Sequence, residues 1–469
     1  MTSPPLLRQL GAIASGINTE AMPGQIRARY MDAILDYLGA VLAGRSTATS
    51  DAFTMSAEGL GGAGTSSILG SAVRTSPLIA AAANAASGHA LELDDLHRDV
   101  TGWHPGTTVI PAVLAVGDRD ALSGDSILAG IVAGYEIGAR IGAVMAAEHR
   151  SRGFHATGTV GALAAAAGAA RALGFASDDI GSAIGLATSM ASGTFGVLAG
   201  AVSAKHLHAA HAALAGVWAT ALVEAGFHGP LGALETPGGF YSAFAGGVSD
   251  LESVTRPLGE PWAIERQWVK QHASCGHSFS AIDAAQAIRT QVSLPLDEIS
   301  RIEVHTYKAA AVLNEQQPAT MLDAQFSIPF CVALAIDERR SIQPLSIRDF
   351  APDRLSDPEL RRLAQTVVVE LDPASEAAFP AKRLTTVTVV DTAGNASTHS
   401  VEQPRGMPEN PLSPSEVREK YRGLAQAAIG DDRAKHVEQL VDDILGHDAW
   451  SLQLAHAVGS TEVESAAIS

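Results

Sequence analysis

The hydrophobic period of this chain changes once, near residue 295, and that change decides which folds are open to it. Before it, apolar residues recur every three or four positions: Ile26, Tyr30, Ile34, Leu38 and Val41 share one helical face. The spacing predicts helices over 26–43, 125–141, 160–173 and 206–225, rich in Ala and separated by Gly, Ser or Asp, with no strand pattern among them. After it, Ile299 to Tyr307 alternates like a half-buried strand, and Thr366 to Leu371 reads as a second. Leu384 to Val390, a turn at Asp391 to Asn395, and Ala396 to Val401 read as a hairpin. Helical segments at 281–291 and 357–365 lie between, so this stretch is an α+β domain of roughly 140 residues. Pro404, Pro408, Pro411 and Pro414 mark a linker, and Ser413 to Glu416 is a capping box with proline at the first helical position. It opens a helix through Leu424 and a helical tail suited to pack back on the first domain. The chain divides as a helical part (1–259), an α+β part (260–405) and a returning helical part (411–469).

The composition restricts partners. Only 17% of the 469 residues are charged, and the net charge of −18 disfavours nucleic acid or an anionic membrane. Two cysteines, Cys275 and Cys331, cannot form a disulfide framework, and Met1 to Asn18 does not read as a signal peptide. A cytoplasmic protein is expected. The uncharged run Ile180 to Ala204 could span a bilayer by length. Its five glycines and flanking Asp178 and Asp179 favour a buried Gly/Ala helical hairpin instead.

Within this charge-poor background, 88–106 gathers His89, His97, His104, Glu92, Asp94, Asp95 and Asp99. Burying an unpaired charge costs several kcal/mol or more, so such a cluster is paired, solvated or functional. His89, Asp94, Asp95, His97 and His104 have the chemistry of metal ligands but no recognisable metal spacing, so no metal is expected. Asp94 and Asp95 also suit a helix cap, and His104 before Pro105 suits a loop rather than a core position. Gly153 to Gly158 precedes a helix whose N–H groups, or a capping Thr157, could serve a carboxylate or the helix itself. Lys205 reads either as a snorkelling surface residue or as a cation aimed into a cleft, with His206 and His211 on the surface. In Lys270 to His277, Cys275 invites a nucleophile reading, but no base is positioned for it, and buried packing fits better.

Taken in order, Gly88 to Asp95, His104-Pro105, Gly134-Tyr135-Glu136, Gly153 to His155, Lys205 to His208, Lys270 to His277, Phe326-Ser327 and Asn410 to Ser413 resemble the MmgE/PrpD family. That family includes 2-methylcitrate dehydratase, cis-aconitate decarboxylase and iminodisuccinate epimerase. The resemblance implies a large all-helical domain built from both termini, an inserted α+β lid domain, a homodimer, no cofactor, and a small anionic carboxylate substrate. It implies an active-site cleft with Asp94, His104, His155, Lys205 and Lys270.

The family's common step makes or protonates a carbanion beside a carboxylate. Fixed cations must neutralise the growing charge, a role for Lys205 and Lys270, with Arg98 a further candidate. His104 and His155 are the expected bases, Asp94 orients a histidine, and Tyr135 is a second proton donor. Cys275, His277, Thr157 and Glu92 complete the expected substrate contacts. Cys275, Glu92, Leu96 and Phe330 depart from the decarboxylase pattern, and Gly106-Thr107 from the dehydratase pattern. Epimerisation therefore leads, followed by dehydration and then decarboxylation. A metal-dependent hydrolase and a non-catalytic binding protein are the readings from other classes.

Overall fold

The computed structural model describes residues 4–198, 203–292 and 295–459. They fall into two compact units: one takes the chain to Ala90, Asp94–Val269 and Ser413 onward, the other Leu91–Leu93 and Lys270–Leu412.

The first unit is helical, and small residues set its packing. The Val160–Ala172 helix buries every residue except Arg171, as expected for a helix apolar all round. Its neighbour, Gly124–Ala143, carries Gly130, Gly134, Gly138 and Gly142 on one face. A Cβ at Gly134 would stand 2.3 Å from Val109, and one at Gly138 2.5 Å from the Trp103 ring, so only glycine permits this approach. The Ala204–Glu224 helix packs on both Pro77–His89 and Val160–Ala172.

Both ends of the chain build this unit. The Pro414–Ile429 helix starts at the Ser413/Glu416 capping box and lies along Gly24–Gly44. Lys420 Nζ meets Asp36 at 2.6 Å, and Arg418 Nε meets Asp32 at 3.1 Å. The returning helix runs to Ile429, past the expected Leu424.

Two strand pairs precede residue 295, contrary to the sequence expectation. Ser66–Ser67 pairs with Arg74–Thr75, and Leu96–His97 with Gln267–Trp268. Two-residue ladders are too short to print an alternating pattern. In the uncharged run, a Ser177–Thr188 helix ends before a 3-10 turn at Phe195–Leu198, and the next helix opens at Ala204. Among the described residues no helix is long and apolar enough to cross a membrane.

The second unit holds a four-stranded sheet in the order Val367–Leu371, Ile299–Thr306, Thr385–Asp391, Ala396–Val401. The first pair is parallel and the others antiparallel. Ile302, Val304, Val387 and Val389 are fully buried, and the Phe279–Gln291 helix packs on the hairpin strands. The alternation read from the sequence is thus a one-faced sheet under a helix.

Candidate active site

In the helical unit, the Pro77–His89 helix ends on His89, and His104 is the N-cap residue of Pro105–Asp120. Asp94 joins them. Its Oδ2 lies 2.7 Å from His89 Nδ1, 2.8 Å from His104 Nδ1 in a bent contact, and accepts the Thr107 hydroxyl at 3.2 Å. The His89 and His104 rings meet edge to face, centroids 4.5 Å apart. All three residues are buried, so His104 lies in the core and not in the loop position that Pro105 suggests. Burial pushes His104 down to about 3, against the pull of Asp94. Burial opposes ionisation of Asp94, but His104 and His89 more than offset it and hold the carboxyl well below its usual range. The site therefore pairs a carboxylate with a neutral His104 imidazole at physiological pH.

This triad could also be asked to hold a metal, since one ligand atom from each lies within 4.8 Å of the others. Ligands on one tetrahedral zinc stand about 3.3 Å apart, however. The two nitrogens sit 2.7 and 2.8 Å from a single oxygen, the spacing of charge-assisted hydrogen bonds. Asp95 and His97, the other candidate ligands, point elsewhere. Asp94 Oδ1 and His89 Nε2 are buried without a hydrogen-bond partner among the described residues, so the triad offers an acceptor and a ring nitrogen to a guest.

His155 completes the group. Its ring lies 6.3 Å from that of His104 and 6.4 Å from that of His89. Gly102, at φ +78°, a backbone conformation that favours glycine, passes beside it: a Cβ there would stand 3.3 Å from Phe195 Cζ and 3.4 Å from His155 Cδ2. Burial, then the charge of Lys205, hold His155 well below the usual histidine range. His155 Nδ1 lies 2.8 Å from His208 Nδ1, a contact that the sequence did not suggest. Lys205 is buried rather than snorkelling, on the first turn of Ala204–Glu224. His206, expected on the surface, is only 4% exposed, its Nδ1 3.0 Å from the Thr49 hydroxyl. His211 is partly buried, with Nε2 2.7 Å from the Met190 carbonyl.

Other expected site residues are committed to scaffold. Asp95 accepts from Gly106 N–H at 2.8 Å, the Tyr135 hydroxyl at 2.9 Å and Gln267 Nε2 at 2.8 Å. Burial raises Asp95 to about 7 and Tyr135 well above its usual range. The phenolic proton of Tyr135 is thus spent on tying Asp95 to the start of the His104 helix. The Thr157 hydroxyl donates to Gly102 O at 2.7 Å and accepts His104 N–H at 3.3 Å, holding the backbone at His104. Thr159, not Thr157, stands at the N-cap of the following helix, without a side-chain cap bond. Arg98 stands 3.7 Å from Asp99, which Arg266 grips with two bonds of 2.8 Å. His97 packs on Trp103, and burial lowers it to about 4.

Lys270, Glu92, Cys275 and His277 belong to the second unit. Lys270 Nζ donates to both the carboxylate and the carbonyl of Glu92 at 3.0 Å, a buried ion pair. Glu92 has φ 55°, a left-handed conformation that costs a non-glycine residue about 1–2 kcal/mol. Cys275 is buried, its N–H bonded to Gln325 O at 2.9 Å. His277 Nδ1 lies 2.9 Å from both the Tyr307 hydroxyl and Arg383 Nη1.

Comparison with known proteins matches residues 8–251 to the model of the MmgE/PrpD N-terminal domain and residues 272–444 to that of the MmgE/PrpD C-terminal domain. Cis-aconitate decarboxylase of Aspergillus terreus is 28% identical over 452 residues, 91% of each chain. Cis-aconitate decarboxylase of Mus musculus is 25% identical over 386 residues, 79% of this chain and 76% of its own. That of Homo sapiens is 25% identical over 387 residues.

Proposed function

The chain belongs to the MmgE/PrpD family, and we propose that it is a cofactor-independent lyase that decarboxylates a small di- or tricarboxylate. The observation that carries this reading is the buried group of Asp94 with three imidazoles, His89, His104 and His155, beside the cation Lys205. Lys205 answers the substrate's negative charge in a site of low dielectric. His104, backed by Asp94, is the base that takes a proton from carbon and returns it to the substrate's carbon skeleton before CO2 leaves, so that its own proton balance is zero. Loss of CO2 leaves an electron pair on the carbon it quits, and His155 Nε2–H protonates it: an N–H bond breaks as a C–H bond forms. The relatives named as cis-aconitate decarboxylases support this order of readings over the epimerisation that leads in the sequence.

Epimerisation is the second reading. Two-base inversion needs two separately held imidazoles, and His104 on Asp94 and His155 on His208 are such a pair. A homodimer is part of the proposal: Leu207 and Trp218, 54% and 48% exposed, stand eleven residues apart on one helical face. A cytoplasmic location is supported by two buried free cysteines. Proton NMR in D2O with cis-aconitate and a panel of di- and tricarboxylates tests the chemistry. Decarboxylation appears as CO2 loss with one deuterium placed on the product. Exchange at one carbon with decay of optical rotation, and no CO2, replaces it with epimerisation; loss of water replaces it with dehydration.

A further inference from the structure

We infer that His208 is a positioning and proton-relay residue that lets His155 act as an acid; this rests on the role of His155 proposed above. The two Nδ1 atoms face each other at 2.8 Å, rings 5.1 Å apart. At that distance one nitrogen must carry a proton and the other accept it. The Gly193 segment lies against the pair: its carbonyl accepts the backbone N–H of His155 at 3.0 Å, and a Cβ on Gly193 would sit 3.0 Å from His208 Cδ2. His155 is 1% exposed and His208 7%, which makes His208 the member nearer water.

The chemistry requires such a partner. Burial lowers His208 to about 4 and His155 further, and the groups acting on the pair are cationic or imidazole: Lys205, His89, His104 and His211. Both rings are therefore neutral at physiological pH. A neutral imidazole cannot give up Nε2–H without becoming an imidazolate, unless its Nδ1 gains a proton in the same step. His208 Nδ1–H supplies that proton. His155 Nε2–H goes to carbon, His208 Nδ1–H goes to His155 Nδ1, and His208 Nε2 takes one proton from water. After product leaves, water protonates His155 Nε2, the Nδ1 proton returns to His208, and His208 Nε2–H goes back to water. The net transfer is one proton from solvent to carbon, the proton that decarboxylation consumes. His104 has no such freedom, because the Asp94 carboxylate demands a proton on its Nδ1.

The test begins without substrate. Long-range proton–nitrogen NMR of the whole protein at pH 7 should find both rings neutral with a single proton between the two Nδ1 atoms. Two bare Nδ1 atoms, or a doubly protonated ring, would overturn the relay. The second arm uses His208→Asn, which keeps a hydrogen-bonding atom at the Nδ1 position but cannot pass a proton, with cis-aconitate as the probe. The expected result is a loss in kcat of roughly 10²-fold, the scale of a lost acid, with KM little changed, a proton inventory reduced from curved to linear, and partial rescue by added imidazole. Activity within threefold of wild type with an unchanged inventory would overturn it, as would a loss that imidazole does not restore and that tracks a lower Tm. His155→Gln separates the two claims: full activity there removes the parent reading, whereas an inactive His155→Gln beside an unaffected His208→Asn removes only the relay.

Discussion

Asp94→Asn changes one atom of the central contact and almost no volume, so its effect can be worked from the geometry. Oδ2 meets His89 Nδ1 at 2.7 Å, His104 Nδ1 at 2.8 Å and the Thr107 hydroxyl at 3.2 Å. An amide oxygen can face the same donors, but it carries no charge. Hydrogen bonds to a charged group contribute about 1.5–3 kcal/mol and neutral ones about 1. Two imidazoles lose that difference of about 0.5–2 kcal/mol each, so when His104 takes a proton its cation is less stable by about 1–4 kcal/mol. That corresponds to a fall in kcat of roughly 5- to 10³-fold. The opposite amide rotamer places NH2 against the two ring nitrogens and reverses the His104 tautomer, which lowers kcat further. The assay is kcat and KM by NMR with cis-aconitate and the carboxylate panel, beside Tm for both proteins. Asp94→Asn within threefold of wild type at an unchanged Tm would refute the reasoning, because the carboxylate would then stabilise no charge in the transition state.

Since burial holds His104 at about 3, kcat/KM should stay flat from pH 8 to pH 5 once substrate ionisation is corrected for. A histidine at its usual value near 6.5 would be only about 3% neutral at pH 5, so a thirtyfold fall would count against the assignment. For stability, the folded value of His97, about 4, lies below its unfolded value. Its contribution is present above pH 6.5 and is lost as pH falls from 6.5 toward 4, so His97→Gln should remove up to about 1.4 kcal/mol per pH unit from the slope of unfolding free energy in that window. Asp95, raised to about 7, acts the other way, and its cost grows as pH rises from about 4 to 7. Lys205→Ala should raise KM and lower kcat together, since a carboxylate bound in the ground state gains charge in the transition state; a change in KM alone would restrict Lys205 to binding. Exhaustive chelation should leave turnover intact, and stoichiometric zinc, iron or manganese whose removal abolishes it would turn the His89–Asp94–His104 triad into a metal site.

Two strands were readable because each buries one face. Ile299–Thr306 and Thr385–Asp391 alternate between buried and more exposed residues, and their observed ends lie within a residue or so of the alternation. The Ser413/Glu416 capping box was equally direct, since a cap is a local hydrogen bond between near neighbours. The Ala204–Glu224 helix was readable as a helix but not by face. Ala209, Ala210, Ala212, Ala213 and Ala215 are all buried, so alanine encircles it and gives no polar side against which to judge His206 or His208. Asp95 and Tyr135 were visible as titratable groups, but not as partners.

The same distinction separates the two imidazoles of the proposed chemistry. His89 and Asp94 are 5 residues apart, and Asp94 and Thr107 are 13 apart, so the carboxylate-backed half of the site sits in one short window. His155 and His208 are 53 apart on segments joined only by the tertiary fold. Neither residue implies the other locally, and each alone reads as a stray histidine on an apolar background. Yet the backing group decides the chemistry. A carboxylate behind His104 favours taking a proton, while a second imidazole behind His155 can donate or accept at Nδ1 and so permits giving one up. An acid and a base made from the same residue type therefore differ by what stands behind them, and only the base has its partner close in sequence.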